Sequence, residues 1–371
     1  MNFRFNIPCL LGTEKIIKND LIAMGIKDAY CENGMVFFTG DEKTLIKSNI
    51  SSRYAERVLI IIGEFKAYSF DELFEKVKSL NFYDYIPKDG KFPVKGYSLN
   101  STLFSVRDLQ SIIKKAAVES LKRKYKIEVF PETGDLYQIQ FSVIKDRFLI
   151  LLDTTGPGLH KRGYRLDATE APIKETLASS ICELSSLRPY HTFYDPMCGS
   201  GTIAIEAVLK SCNIAPGINR NFSFEKFCFI DPNLTREYRE KCKSEINLEN
   251  DFQAFAFDNS KQALEIAKEN AKRAGVSDKI TFKLQDLADF ETLSEKGTLI
   301  TNPPYGERLM TKEDLVGIYK IMREKFVSKR GWSYNIITSD LNFEEEFHKK
   351  ADKRRKLYNG MIECNLYSYY K

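Results

Sequence analysis

No apolar run in this sequence exceeds five residues; Val58–Ile62 and Phe148–Leu152 are the longest. A membrane-spanning helix needs about 20, so a membrane protein is excluded. Met1–Leu11 holds no apolar core of a secretory leader, so a cytoplasmic location is expected. Histidine is scarce, with only His160, His191 and His348, and none is spaced from another as metal ligands are. The eight cysteines include no C-x-x-C pair, which argues against a zinc knuckle, a thioredoxin-like site and a structural metal. Free thiols in a reducing compartment are the simplest account. Fixed-period repeats and low-complexity tracts are missing as well.

What is present is an ordinary globular mix, 43% hydrophobic and 29% charged, in a chain of 371 residues. That length suggests two or three domains. The net charge of +5 is slight, but the cations are grouped. Lys114–Lys126 carries six against Glu119 alone, Lys161, Arg162 and Arg165 sit together, and Lys353–Lys356 is uninterrupted. Grouped cations on a near-neutral background suggest a polyanion-binding footprint. Solvated helix faces are the plainer reading of each group.

The first 65 residues read β-α-β-α-β, with strands at Phe3–Pro8, Met35–Thr39 and Val58–Ile62 and a helix over Glu14–Met24. Ser69 and Glu72 form a helix-start signal for a helix to Leu80. Pro87–Gly96 reads as a loop, Asp108–Tyr125 as a helix, and Leu136–Val143 with Arg147–Asp153 as a hairpin. From Glu170 strands and helices alternate, with strands at Thr192–Asp195, Ala254–Phe257, Ile280–Leu284, Thr298–Thr301 and Ser333–Thr338. This grammar predicts an α/β, mainly parallel Rossmann-like sheet behind N-terminal α+β modules. Asn359-Gly360 then marks a hairpin turn that adds an antiparallel edge.

Four motifs fall at successive strand ends. Asp195-Pro196-Met197-Cys198-Gly199-Ser200-Gly201-Thr202 joins a strand to a helix, where glycines permit a tight turn and close approach of a ligand to the helix N-terminus. Asp258 ends the second strand. It can accept two ribose hydroxyls or cap the next helix, a role open to Ser260 too. Asp231, in Phe229-Ile230-Asp231-Pro232, looks like a strand end and competes with it. Asp286-Leu287 follows the third strand, where Asp286 can accept from an exocyclic amine or simply hold a turn. Asn302-Pro303-Pro304-Tyr305-Gly306 follows the fourth. It offers an amide oxygen, a rigid carbonyl and an aromatic ring suited to a flat, aminated base.

Together, DPMCGSGT, FAFDNS, LQDL and TNPPYGERL resemble the class I S-adenosylmethionine-dependent methyltransferases that modify exocyclic amines. DTTGPGLHKRGYR from Asp153 and the following APIKETLAS resemble a narrower family, the bacterial THUMP-domain RNA guanine-N2 methyltransferases. The N-terminal half of the bifunctional 23S rRNA enzymes belongs to that group. The resemblance implies a ferredoxin-like module over 1–65, a THUMP domain over 66–158 and a catalytic domain over 159–371. It implies cofactor contacts from Asp195, Pro196, Cys198, Gly199, Gly201, Asp258, Asp286, Leu287 and Asn302, and base contacts from Asn302, Pro303, Pro304 and Tyr305. Lys115, Lys122, Lys126, Lys161, Arg162 and Arg165 are the expected RNA contacts, with structured rRNA favoured over tRNA. Adenine-N6 transfer remains the alternative. Cys198 lies in the cofactor loop, where packing is a better reading than thiol nucleophilicity.

The 63-position step from Asp195 to Asp258 exceeds a minimal βαβ step, so an insertion at about Cys212–Asp251 is expected.

Overall fold

The computed structural model describes all residues except 33, 166–172, 293, 305–311, 327–329 and 371. Tyr305, one of the expected base contacts, lies outside the described residues.

The N-terminal part runs β1 (Phe3–Pro8), α1 (Glu14–Ala23), β2 (Tyr30–Glu32), β3 (Met35–Gly40), α2 (Glu42–Ser51), β4 (Leu59–Lys66), α3 (Phe70–Ser79), β5 (Val94–Leu99), α4 (Val106–Tyr125), β6 (Ile139–Ile144) and β7 (Arg147–Asp153). Ser69 caps α3 as its sequence signal predicts, its Oγ accepting from the Glu72 N–H at 3.2 Å. These strands form one seven-stranded sheet, ordered β2-β3-β1-β4-β7-β6-β5. β4 joins the halves: it pairs with β1 and, over its whole length, with β7. β5 replaces the end of the loop expected over Pro87–Gly96. It forms because Gly96 pairs with Phe141, and a Cβ there would stand 2.2 Å from the Phe141 carbonyl oxygen. Only glycine lets these two backbones approach so closely.

The C-terminal part continues with α5 (Glu175–Leu184), β8 (Thr192–Asp195), α6 (Thr202–Ser211), α7 (Pro232–Ser244), β9 (Ala254–Asp258), α8 (Lys261–Arg273), β10 (Ile280–Leu284), β11 (Gly297–Thr301), α9 (Lys312–Lys325), β12 (Trp332–Thr338), α10 (Phe343–Glu346), β13 (Lys353–Asn359) and β14 (Ile362–Tyr370). Its sheet is ordered β10-β9-β8-β11-β12-β14-β13. All pairs are parallel except those of β14, as the alternation and the terminal hairpin predict.

The insertion before β9 is a seam between the two parts. Phe227 stacks on Tyr137 at 4.8 Å, and Phe229 packs against Phe3 and Tyr85 at 5.8 and 5.7 Å. Tyr238 on α7 meets Ser51 at 2.8 Å. Burying rings such as Phe224 and Phe227 is worth about 2–3 kcal/mol each. Asp231 belongs to this seam. It is the N-cap of α7, accepting from the Asn233 N–H at 2.9 Å, and does not end a strand. Pro232 at N1 explains this, because its fixed φ favours a first helical turn.

The linker after β7 is also tied down. Arg57 pairs with Asp153 at 2.5 Å, and Arg220 donates to the carbonyls of Gly158 and Lys161 at 2.7 and 3.0 Å. Arg220 thus ties the linker to the insertion of the C-terminal part.

Candidate active site

In an open parallel sheet, ligands bind outside the carboxyl ends of the strands where the strand order reverses. Here that point lies between β8 and β11, which are neighbours although β9 and β10 intervene in sequence. Asp195 ends β8 and Asn302 follows β11, so both stand at this crevice.

The loop leaving β8 is shaped by its glycines. Gly199 has φ +52° and Gly201 φ +79°, and a Cβ on Gly201 would press to 3.0 Å from the Ala267 Cβ. The Cys198 N–H donates to the Phe257 carbonyl at 2.9 Å, and the Gly199 N–H to Asp258 Oδ2 at 2.8 Å. Asn270 Nδ2 donates to the Ser200 carbonyl at 3.1 Å. Gly201 is the N-cap of α6 and brings no side chain to accept the first N–H groups. The first turn of α6 therefore offers donors and a positive dipole to the crevice.

Asp195 is fully buried. Its Oδ1 accepts from the Met197 N–H at 3.3 Å, while Oδ2, with the Thr301 hydroxyl near the carboxyl, makes no well-formed hydrogen bond among the described residues. Burial pushes its carboxyl up to about 8, and the neighbouring Asp258 charge adds to this. Asp258 does not cap α8; Ser260 does, accepting from the Ala263 N–H at 3.2 Å. Asp258 instead receives Gly199 on one oxygen and the Ser260 N–H at 2.9 Å on the other. A carboxylate has about four acceptor positions, so two remain for a ligand. Asp286 is exposed and uses Oδ1 on the Ala288 N–H at 2.8 Å, while Leu287 beneath it is buried. Asn302 Oδ1 is buried and has no partner among the described residues, and Pro303 beside it is buried. Cys198 is buried, and desolvation holds its thiol far above the ordinary range, so no thiolate forms there.

This set of groups fits S-adenosylmethionine: uncapped helix N–H groups, a glycine turn, a half-satisfied carboxylate at the second strand end, and a buried oxygen, Asn302 Oδ1, without a partner among the described residues. Asp195, Asp258, Asp286 and the Gly199–Gly201 turn would hold it.

The expected RNA contacts divide. Lys161 is exposed. Arg162 is buried, with its side chain 2% exposed; it donates to the Leu159 carbonyl at 2.8 Å and lies 3.5 Å from the buried Glu206. It is an interior brace and cannot reach a phosphate. Arg165 is mostly enclosed, bonded to the Ile173 carbonyl at 2.8 Å and to Glu175 at 3.0 Å. The carboxylates of Glu206 and Glu175 draw both arginines inward, a pull that counting cations along the chain does not register. On α4, Lys115 and Lys126 are exposed, whereas Lys122 is paired with Glu119 at 3.2 Å and Glu128 at 2.8 Å.

Two contributors were not singled out from the sequence. Asn270 shares the buried face of α8 with Ala263, Ala267 and Ala271, and a polar residue on that apolar face was the available signal. Glu206 joins Tyr164 at 3.0 Å and Ser179 at 2.6 Å beneath the cofactor loop. Among the described residues no helix is long and apolar enough to cross a membrane.

Comparison with known proteins gives the family. Residues 162–368 match the RMKL-like methyltransferase domain family, 4–59 the RlmL ferredoxin-like domain and 67–153 the THUMP domain. The chain is 44% identical over 362 residues to "Putative RNA methyltransferase YpsC" of Bacillus subtilis, covering 97% of this chain and 94% of that one. Among solved structures it is similar to "a putative methyltransferase complexed with SAH" (40% identity, TM-score 0.94, all of this chain and 98% of that one). It is also similar to "a predicted N6-adenine-specific DNA methylase" from Listeria monocytogenes (42% identity, TM-score 0.94, all of this chain and 96% of that one).

Proposed function

The chain belongs to the RMKL-like methyltransferase family, and from that premise we propose that it methylates the exocyclic N2 of a guanine in structured cytoplasmic RNA, 23S rRNA ahead of tRNA. The observation that carries this reading is Asn302 Oδ1, buried without a partner among the described residues, beside Pro303 at the sheet's switch point. An orphaned buried acceptor is costly unless a ligand donor meets it. A guanine amine supplies one N–H to Asn302 and one to the Pro303 carbonyl. These bonds draw the nitrogen toward a pyramidal form and return its lone pair from the ring. When bound, S-adenosylmethionine supplies an electrophilic methyl group. Holding the amine in line then does most of the work, and no strong base is needed, because the proton leaves readily once the nitrogen is alkylated.

The three family matches support a division into a ferredoxin-like module (1–65), a THUMP domain (66–158) and a catalytic domain (159–371). The first two, with Lys115, Lys126 and Lys161, would grip RNA by its phosphates and shape. The name of the Bacillus relative favours RNA. A second reading, adenine-N6 transfer, rests on the name of the Listeria structure and on the same amine chemistry at Asn302. Incubating RNA and DNA from cells lacking the gene with radiolabelled cofactor, then identifying the labelled nucleoside, separates the two. N2-methylguanosine supports the proposal; N6-methyladenine overturns it.

A further inference from the structure

The C-terminal hairpin turns one residue later than Asn359-Gly360 suggests. Asn359 pairs with Ile362, so the two turn residues are Gly360 and Met361. Gly360 has φ +66°, as the first central position of a II′ turn requires. The second position ordinarily carries a small polar residue or glycine. Here it carries Met361, 97% exposed, followed by Ile362, 48% exposed. Nothing in turn chemistry or packing accounts for a bare thioether side chain at a hairpin apex.

Its position is informative. Thr301 pairs with Ile336, and Ile336 with Tyr367. β14 runs antiparallel to β12, so its first residues project beyond the carboxyl edge that carries Asn302. Met361 lies six residues past the level of Thr301, ~20 Å along the strand direction, and between two and three strand spacings (~12 Å) to the side. The apex therefore stands beyond the same sheet edge, to one side of the crevice and roughly 20 Å from Asn302. That is the scale spanned by an extended methionine side chain plus a nucleotide swung out of its stack.

The hairpin is also braced. The Gly12 backbone lies against β13 so closely that a Cβ there would be 2.8 Å from the Lys356 carbonyl oxygen and 3.5 Å from Leu357. The N-terminal part thus supports the hairpin about four residues below its apex, at a level where Lys356 is paired with Glu363 at 2.6 Å. An apolar tip on a braced hairpin is the form used to part stacked bases.

We propose that Met361 is a wedge. As the target guanine leaves its stack for Asn302, Met361 enters the RNA stack beside the vacated position and keeps it open, with Ile362 packing behind. This rests on the reading of the site as an RNA guanine methyltransferase. Chemistry on a base inside a stack requires its extrusion, and whatever fills the gap lowers the cost of the extruded state.

The test compares wild type, Met361→Gly and Met361→Leu on folded RNA purified from cells lacking the gene, at saturating RNA and radiolabelled cofactor. Met361→Gly should lower kcat by about tenfold or more, with Met361→Leu close to wild type. RNA affinity by filter binding and cofactor affinity by calorimetry should stay within about twofold of wild type for both. An unchanged kcat in Met361→Gly overturns the wedge while leaving the activity intact. Weaker RNA binding with unchanged kcat overturns it too, because that marks a docking contact. Wild type that transfers no methyl to guanine in any RNA overturns the underlying reading and the wedge together.

Discussion

The backbone N–H of Gly199 donates to Asp258 Oδ2 at 2.8 Å, and this bond ties the glycine turn after β8 to the tip of β9. The other oxygen of Asp258 holds the Ser260 N–H, so one carboxylate sets both the turn and the start of α8. The residue proposed to face the cofactor is thus the one that shapes the loop around it.

Asp258→Ala should therefore weaken binding of S-adenosylhomocysteine by about ten- to a hundredfold, the range for loss of a charged hydrogen-bonding group. RNA affinity should stay near wild type, since no phosphate contact is assigned there. Calorimetry with the product cofactor measures the first and filter binding the second. Equal cofactor affinity would remove Asp258 from the site.

Asn302 should separate chemistry from cofactor binding. Its Oδ1 has no described partner until a base donates to it. Asn302→Ala should lower kcat by at least about tenfold, or about 1.4 kcal/mol of barrier, with little change in cofactor affinity. Single-turnover methyl transfer is the measurement. An unaltered rate would exclude Asn302 from the transition state.

Much of this site was legible in the sequence because its parts are local. The Asp195–Gly201 turn, Asp258 and Asn302 each sit at the end of an apolar strand, and the strand period places such ends on one sheet edge. The long-range parts were not legible. Gly96 looks like a loop residue until Phe141 is placed against it. Asp231 resembles a strand end because Phe229 and Ile230 are apolar, yet Phe229 packs on Phe3 and Tyr85, far away in sequence, in the seam between the two parts. Arg162 reads as a surface cation until Glu206, 44 residues on, is folded beside it. Charge in sequence says little about direction: a buried carboxylate decides whether a cation faces solvent or the interior.

Asp195 should make stability depend on pH. Burial raises its carboxyl to about 8 in the folded chain, against an ordinary value of about 3.9 when unfolded. Between these values the folded state keeps a proton that the unfolded state has released. Stability should fall as pH rises through that window and level off above it, by an amount on the order of a few kcal/mol. Asp195→Asn removes the ionisation, so its melting temperature should change less between pH 5 and pH 8 in the absence of cofactor. Circular-dichroism melts of both proteins across that range provide the comparison. Parallel curves would mean that Asp195 is ionised in the fold.

The cations of α4 should differ in what they contribute to RNA binding. Lys115, Lys122 and Lys126 lie seven and four residues apart, which at about 100° per residue places them on one helix face. Yet Lys122 is paired with Glu119 and Glu128, and a cation that must first leave two carboxylates gains less from a phosphate. Lys126 sits in the left-handed region at φ +55°, so asparagine, which tolerates that backbone, is the suitable replacement. Lys115→Ala and Lys126→Asn should each flatten the slope of log affinity against log salt by about one unit. Lys122→Ala should flatten it by less, and the double change at 115 and 126 by about two. Catalysis at saturating RNA should persist in all of them, because the helix lies outside the crevice. Filter binding across a salt series distinguishes this from a merely solvated face, which predicts wild-type slopes throughout. A larger effect at Lys122 than at its neighbours would show that RNA displaces Glu119 and Glu128, and that the pairing seen in the free protein is a resting state.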